Sequence, residues 1–600
     1  MDLQTTLKNR DEIPEQYRWA ISDLYPTDEA WNAEYTALEA EIPQFASHWC
    51  GKLGQSLQTL ADALCALFQL EQRCERLVVY ANQKLHEDTA NAVYQGFADR
   101  AQRLSVALSS SVSFVEPEIL SIPEDHLQEI LEGNMFPEYK RTISEIVRNR
   151  KHVLSYEMEQ LLSSAGEMAE GASDTFSAFT NADLKFPMVK DETGASVELT
   201  EARYVPLLKS HNPRVRKDAF EALFSTYASF QNTLAATFSA NIKKEIFYSK
   251  ARRFSSTREA SLFYSRIPLS VYDNLVSTIN NHLDLLHRYV ALRKRVLAAE
   301  PLHIYDMYVP IVQDVKMKLS YADAKKLVKE ALSPLGKSYQ DTLQEAFDSR
   351  WIDVYENRGK RGGAYSWGAY GVHPYVLLNH KDDLNGAFTL AHEMGHALHS
   401  YYSDQSQPYQ YAGYKLFVAE VASTVNESLL MQYMLNRATD RKERLYLLGH
   451  YLEEFRATVF RQTMFAEFEQ IVHASAEAGE PLTAQTLCDT YLALNKRYFG
   501  PELVLDKGIE MEWARIPHFY TPFYVYQYAT GFSAATALSN RILEKGEPAV
   551  NAYLSFLRGG SSADPIELLQ QAGVDMASPE PIEKALALFE ALLGQLESEL

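Results

Sequence analysis

The residues best suited to chemistry stand together in His392-Glu393-Met394-Gly395-His396. They lie inside the stretch Asp383–Ser403, which reads as one helix. Asp382 or Asp383 can cap its start, and no proline interrupts it. Four residues on an α-helix advance about 400°, so His392 and His396 project one turn apart and about 40° off line. Two imidazoles so placed can reach one zinc ion, whose Zn–N bonds are about 2.0–2.1 Å. Glu393, turned about 100° from His392, stands beside such a metal rather than on it. That is the place of a general base acting on a water that the ion activates. With 16 histidines in 600 residues, such a five-residue pattern can also arise by chance, so its weight depends on further ligands.

The next helical run, Tyr414 to Met431, supplies them. It is largely apolar, yet Glu420 and Glu427 share one face, seven residues apart. Two solvated glutamates on an amphipathic helix fit poorly, because the run lacks a wide polar face. Buried carboxylates are costly unless paired or metal-bound. Glu420 as third zinc ligand and Glu427 as a carboxylate behind a ligating histidine account for both. Further on, Arg515 to Gly531 gathers His518 with Tyr520, Tyr524, Tyr526 and Tyr528. A histidine and tyrosine hydroxyls are what stabilises an oxyanion beside a metal. For any single tyrosine, an aromatic core helix with hydroxyls at its rim is the simpler account.

The elements that must position these groups are mostly helical. From Ala30 to about Val115 apolar residues recur at three- and four-residue spacing. Leu57, Leu60, Leu64, Leu67 and Leu70 form one stripe, read as core rather than a partner groove. Trp19 and Tyr25 are expected to pin the N-terminal arm. Glu116-Pro117 and Ile122-Pro123 are expected to break helices. Leu184 to Leu199 reads as a small hairpin turning at Asp191 to Gly194. A domain boundary is placed there: an N-terminal helical lobe over 1–183 and a catalytic domain over 184–600. His303 to Pro310 reads as strand-like. Asn357 to Ser366 is a glycine-rich loop expected to be mobile, and Pro374 to Asn379 a strand leading to the histidine helix. An edge strand beside the metal can pair with a peptide backbone.

Composition excludes several classes. Apolar content of 46% and charged content of 23% suit a globular enzyme. A net charge of −21 argues against a nucleic-acid partner. The four cysteines are too sparse for a disulfide framework and read as reduced, mostly buried thiols. The first residues lack an apolar core of the signal-peptide kind, and no stretch is long and apolar enough to span a membrane. A cytoplasmic protein is expected.

Five stretches, in order, resemble oligoendopeptidase F, in the family of thimet-type zinc oligopeptidases. They are Gly359 to Ser366, Pro374 to Asn379, His392 to His399, Ala419 to Thr424, and Pro517 to Gly531. The resemblance spans nearly the whole chain and is weakest before about residue 110. It implies a mainly α, two-lobed helical zinc-peptidase architecture, with a deep substrate channel and a small β element beside the metal. It implies cleavage of short peptides with one zinc per chain. It supports His392, His396 and Glu420 as ligands, Glu393 as base and Glu427 behind them. His518 matches the family's transition-state histidine. Tyr524 and Tyr528 are the tyrosines chosen, with Tyr520 and Tyr526 left open, because Phe523 interrupts the family spacing.

The reading is therefore a zinc metalloendopeptidase acting on internal bonds of oligopeptides, with no nucleic-acid or membrane partner and its oligomeric state left open. Two others stand beside it. A zinc carboxypeptidase or dipeptidyl carboxypeptidase would need a cation for the substrate's C-terminal carboxylate, for which Arg358, Lys360 or Arg361 could serve. A non-catalytic helical peptide-binding protein would carry the zinc motif by accident.

Overall fold

A computed structural model describes residues 7–133, 136–312 and 317–600. Helices make up 72% of it, so the fold is mainly α. The chain divides into two compact units. One comprises 1–151, 316–430 and 538–573; the other comprises 152–315, 431–537 and 574–600. The boundary read from sequence at 183/184 lies inside the second unit. The divisions at 430/431 and 537/538 fall within the helices Leu416–Arg437 and Tyr526–Lys545. A unit assembled from three separated segments leaves no compositional seam for sequence reading to find.

The first unit begins with three long helices, α1 (Asp28–Trp49), α2 (Leu57–Glu87) and α3 (Ala92–Val112). Ser56 caps α2 by accepting from the Thr59 N–H. Leu60, Leu64, Leu67 and Leu70 are buried, so the leucine stripe is core. Trp19 is buried and its indole N–H donates to Glu87 at 2.7 Å, while Tyr25 meets Tyr80 edge-on, which ties the arm down. Pro117 does not break a helix. It sits in the first turn of Val115–Ser121, where a missing N–H removes no helical bond.

The same unit holds a three-stranded sheet of β1 (Ile352–Asp353), β2 (Tyr365–Trp367) and β3 (Tyr375–Leu377), in the order β1-β3-β2. β3 pairs parallel with β1 and antiparallel with β2, with Ser366 opposite Val376. The strand read from sequence as leading to the histidine helix is thus the buried central one, and β2 is an edge. The loop before β2 is strapped down. Asn379 donates to the carbonyls of Arg361 and Gly363 at 3.0 and 2.8 Å, and the Arg361 N–H reaches His86 O at 3.0 Å. Gly359 takes a left-handed φ of 79°, and a Cβ there would fall 2.1 Å from Asp88 Oδ1. Its glycine therefore serves a turn and a close approach.

In the second unit the hairpin forms as expected, Met188–Lys190 pairing antiparallel with Ser196–Glu198 around Asp191, whose carboxylate accepts from the N–H of Thr193 and Ala195. The strand-like reading of His303 to Pro310 holds only for Leu302–His303; Ile304–Tyr308 is a 3₁₀ turn. All four cysteines are free, Cys74 and Cys488 buried but Cys50 and Cys65 exposed, so burial is half of what was expected. Among the described residues no helix is long and apolar enough to cross a membrane.

Candidate metal centre and aromatic cluster

Two helices of the first unit build the centre, α4 (Leu384–Ser406) and α5 (Leu416–Arg437). α4 starts where its cap is. The Asp383 carboxylate accepts from the Gly386 N–H at 2.8 Å. It ends at Gln407, before Pro408. α5 crosses α4 at Gly395, where an added Cβ would lie 2.5 Å from Ser423 Cα and 2.7 Å from the Ala422 carbonyl. No side chain fits between those backbones. The glycine of His-Glu-Met-Gly-His is what lets α5 come close enough to present its glutamates. Asn426, fully buried, clamps the crossing: its amide donates to Ala391 O at 3.0 Å and its oxygen accepts from Tyr339 OH at 3.0 Å.

His392 Nε2, His396 Nε2 and Glu420 Oε2 form a triangle with edges of 3.2, 3.4 and 3.5 Å. Ligands about 2.05 Å from a tetrahedral zinc stand about 3.3 Å apart. Among the described residues this is the one group of three or more such donors close enough to share a metal ion. Two imidazoles and a carboxylate, with a fourth position left over, are the donor set of an open zinc site. Ser423 Oγ donates to Glu420 Oε2 at 3.1 Å and orients it. Glu427 Oε1 lies 3.2 Å from His392 Nδ1, the far side of that ring. A carboxylate there fixes the tautomer and leaves Nε2 as the ligating atom.

The electrostatics are those of a cation site. The hydrogen bond with His396 holds the Glu420 carboxyl down at about 2, against its burial. Burial opposes charge on His392, but the Glu427 hydrogen bond and the surrounding carboxylates outweigh it and raise the imidazole to about 9. Glu393 is 6% exposed and its Oε2 makes no hydrogen bond among the described residues. Burial raises its carboxyl above the usual range, while the two imidazoles pull it back. His399, one turn beyond His396, points elsewhere, stacked on Tyr414 with ring centres 3.8 Å apart. Beside the first turns of α4, a cleft of about 280 Å³ is lined by Gly363, Ala364, Asn379, His380, Asn385 and Thr389.

The second unit holds the aromatic cluster. His518 sits on the 3₁₀ turn Pro517–Tyr520, and Tyr528 in the first turn of Tyr526–Lys545. The Tyr528 hydroxyl lies 3.4 Å from His518 Nε2 and 3.4 Å from the Tyr524 hydroxyl. The Tyr524 ring is parallel to that of His518, centres 5.7 Å apart. Burial, then the charge of Arg461, lowers His518 and favours a neutral imidazole. The other two tyrosines turn away. Tyr520 stacks on Phe176 at 4.3 Å, and Tyr526 is buried against Tyr272 at 5.1 Å. The structure brings His518, Tyr524 and Tyr528 together, leaves Tyr526 in the core and holds the partly buried Tyr520 against Phe176.

Sequence reasoning passed over Gly395, Ser423 and Asn426. A signal existed for the last two: they are polar residues spaced between Glu420 and Glu427 in an otherwise apolar run. For Gly395 there was none beyond the motif.

Residues 206–588 match the Peptidase family M3 profile, and residues 118–186 match that of Oligopeptidase F. The chain is 50% identical over 592 residues to Oligopeptidase PepF of Bacillus subtilis, covering 98% of this chain and 88% of that one. It is 42% identical over 591 residues to an Oligoendopeptidase F homolog of Lactococcus lactis, covering 98% of each. The crystal structure of oligoendopeptidase-F from Enterococcus faecium superimposes with a TM-score of 0.74 at 40% identity, over 95% of this chain and 99% of that one. The chain belongs to peptidase family M3, in its oligoendopeptidase F branch, and is a metallo-oligopeptidase.

Proposed function

We propose that this metallopeptidase is a zinc-dependent endopeptidase that hydrolyses internal bonds of short peptides. The observation that carries the reading is the triangle of His392, His396 and Glu420, whose edges of 3.2–3.5 Å suit one zinc ion. Zinc held there supplies a Lewis acid that lowers the pKa of water toward about 7 and polarises a carbonyl. Glu427 keeps His392 in the tautomer that offers Nε2. Glu393, its carboxyl raised by burial and flanked by imidazoles, takes the proton from the attacking water and returns it to the leaving amine. His518, with Tyr524 or Tyr528, donates hydrogen bonds to the oxyanion that develops on the scissile carbonyl. A neutral His518 and a phenol both offer such a donor without carrying a charge into the ground state. The open edge of β2 and the cleft beside α4 suit an extended peptide backbone.

Two of the three candidates for the cation that a carboxypeptidase would need are engaged within the protein. Lys360 Nζ is buried 2.6 Å from Asp353 Oδ1, and Arg361 Nη1 lies 2.8 Å from His86 Nε2. Their engagement supports internal cleavage over removal of C-terminal residues.

The test takes wild type and Glu393→Gln with an internally quenched peptide of about ten residues, both termini blocked, and counts zinc in each. About one zinc per chain in both is expected, with turnover lower by about 10⁴-fold in the variant. Full turnover by Glu393→Gln would remove it as the base. Failure of wild type on the blocked peptide, with cleavage of an unblocked one, would favour the exopeptidase.

A further inference from the structure

A buried carboxyl outside the metal centre has one task that accounts for it. Glu469, on the helix Arg461–Glu477 of the second unit, is completely buried. Its Oε1 accepts the Phe523 N–H at 3.0 Å, and its Oε2 makes no hydrogen bond among the described residues. Burial drives the carboxyl well above its usual range, which favours its neutral form. A buried polar group half-satisfied costs stability, and an aliphatic side chain of that volume would not. The one bond it makes therefore needs a reason.

That reason lies in the turn it reaches. Phe523 has φ of 53°, a left-handed conformation that a phenylalanine rarely adopts. The turn is held from three sides. Glu469 takes the Phe523 N–H, Ser261 Oγ donates to the Pro522 carbonyl at 3.0 Å, and the Phe523 ring packs on His473 and Tyr272 at 4.7 and 5.8 Å. His473 is itself fixed, its Nδ1 2.9 Å from the Glu469 carbonyl. Tyr524 is the next residue. Its ring lies parallel to His518 and its hydroxyl meets that of Tyr528. Relaxing Phe523 to an ordinary φ would swing the direction in which the chain leaves toward Tyr524.

We propose that Glu469 is a positioning residue for peptide hydrolysis: its buried carboxyl locks the left-handed turn at Phe523 and so sets the Tyr524 hydroxyl beside His518 and Tyr528. This rests on the oxyanion role of that cluster proposed above. What the turn requires is an acceptor at the position of Oε1, not a charge. Glutamine supplies it at the same length; methionine fills the same space without it, and aspartate withdraws it by one methylene.

The experiment compares wild type, Glu469→Gln, Glu469→Met, Tyr524→Phe and the double variant Glu469→Met/Tyr524→Phe, reading kcat, KM and zinc content on the blocked quenched peptide. Glu469→Gln should stay within about threefold of wild type, and Glu469→Met should lose between about tenfold and 100-fold in kcat with KM and zinc unchanged. On top of Tyr524→Phe, the methionine should cost less than about threefold more, because the hydroxyl it misplaces is already gone. A methionine variant as active as wild type, a glutamine variant as damaged as the methionine one, or penalties that simply multiply in the double variant would each overturn the proposal. Should Glu469→Met not fold, Glu469→Asp takes its place; if that also fails to fold, Glu469 is a core residue and the proposal falls. Full turnover by both Tyr524→Phe and Tyr528→Phe would instead remove the oxyanion reading itself, an outcome separate from activity loss in those variants with none at Glu469.

Discussion

The metal centre and the aromatic cluster solve the same problem by opposite means. At the metal centre the groups sit in the interiors of two long helices, pressed together at Gly395 until their backbones touch Ser423 and Ala422. The donors are then placed by helical geometry, and Ser423, Glu427 and Asn426 only trim their angles. At the aromatic cluster His518 rides a four-residue 3₁₀ turn, and Tyr524 follows a left-handed Phe523. There the placement comes from single side-chain bonds such as that of Glu469. Under the proposed function, zinc ligation needs its donors within a few tenths of an ångström, which two helix interiors provide, while the oxyanion donors hang on an irregular turn and need the added bonds that hold it.

The contrast can be broken at either end. The largest effect is expected at the ligand itself. Glu420→Gln should bind zinc so weakly that the purified protein carries little, measured by metal analysis, with activity regained only at raised zinc concentration. Unchanged metal content would take Glu420 out of the ligand set. Next, whichever of Tyr524 and Tyr528 donates to the oxyanion should lose about 10²–10³-fold in kcat on changing to phenylalanine, with zinc retained. Tyr520→Phe and Tyr526→Phe, whose rings pack on Phe176 and Tyr272 rather than on His518, should stay within about threefold. Equal losses at all four positions would erase the distinction that the structure draws among them. Smaller again, Glu427→Gln should cost about 10–100-fold in zinc affinity, because it removes the charge behind His392 but leaves the ligands. An effect as large as that of Glu420→Gln would make Glu427 a ligand. Last, Gly395→Ala tests the rigid crossing directly. Forcing the backbones of α4 and α5 apart should cost about 3 kcal/mol, seen as a lower unfolding midpoint, with zinc affinity falling alongside. Stability lost without zinc affinity would show that the crossing matters to the core alone.

How much could be read without coordinates follows the same division. The helix from Asp383 and its histidines were legible because capping and a four-residue spacing are local properties. Glu420 and Glu427 were legible because carboxylates in an apolar run demand an explanation. Among the tyrosines the resemblance favoured Tyr524 and Tyr528, the pair found beside His518, but it left Tyr520 and Tyr526 open, because the four are alike in type and close together along the chain. Only packing sorts them. The glycine-rich loop reads as mobile from composition, while its hydrogen bonds join it to His86, hundreds of positions away, and to Asn379, just past the end of β3. Lys360 and Arg361 looked available for a carboxylate until Asp353 and His86 were found beside them.

Local chemistry, written in consecutive residues, determined the helix that carries His392 and His396, the hairpin at Asp191 and the helical class of the protein, because each depends on neighbours within a turn or two. Tertiary structure alone decided that Gly395 must be a glycine, that β3 is the central strand and β2 an edge, and that Tyr520 and Tyr526 pack away from His518. Those outcomes depend on which distant surface arrives at a given atom, and no spacing along one segment encodes that.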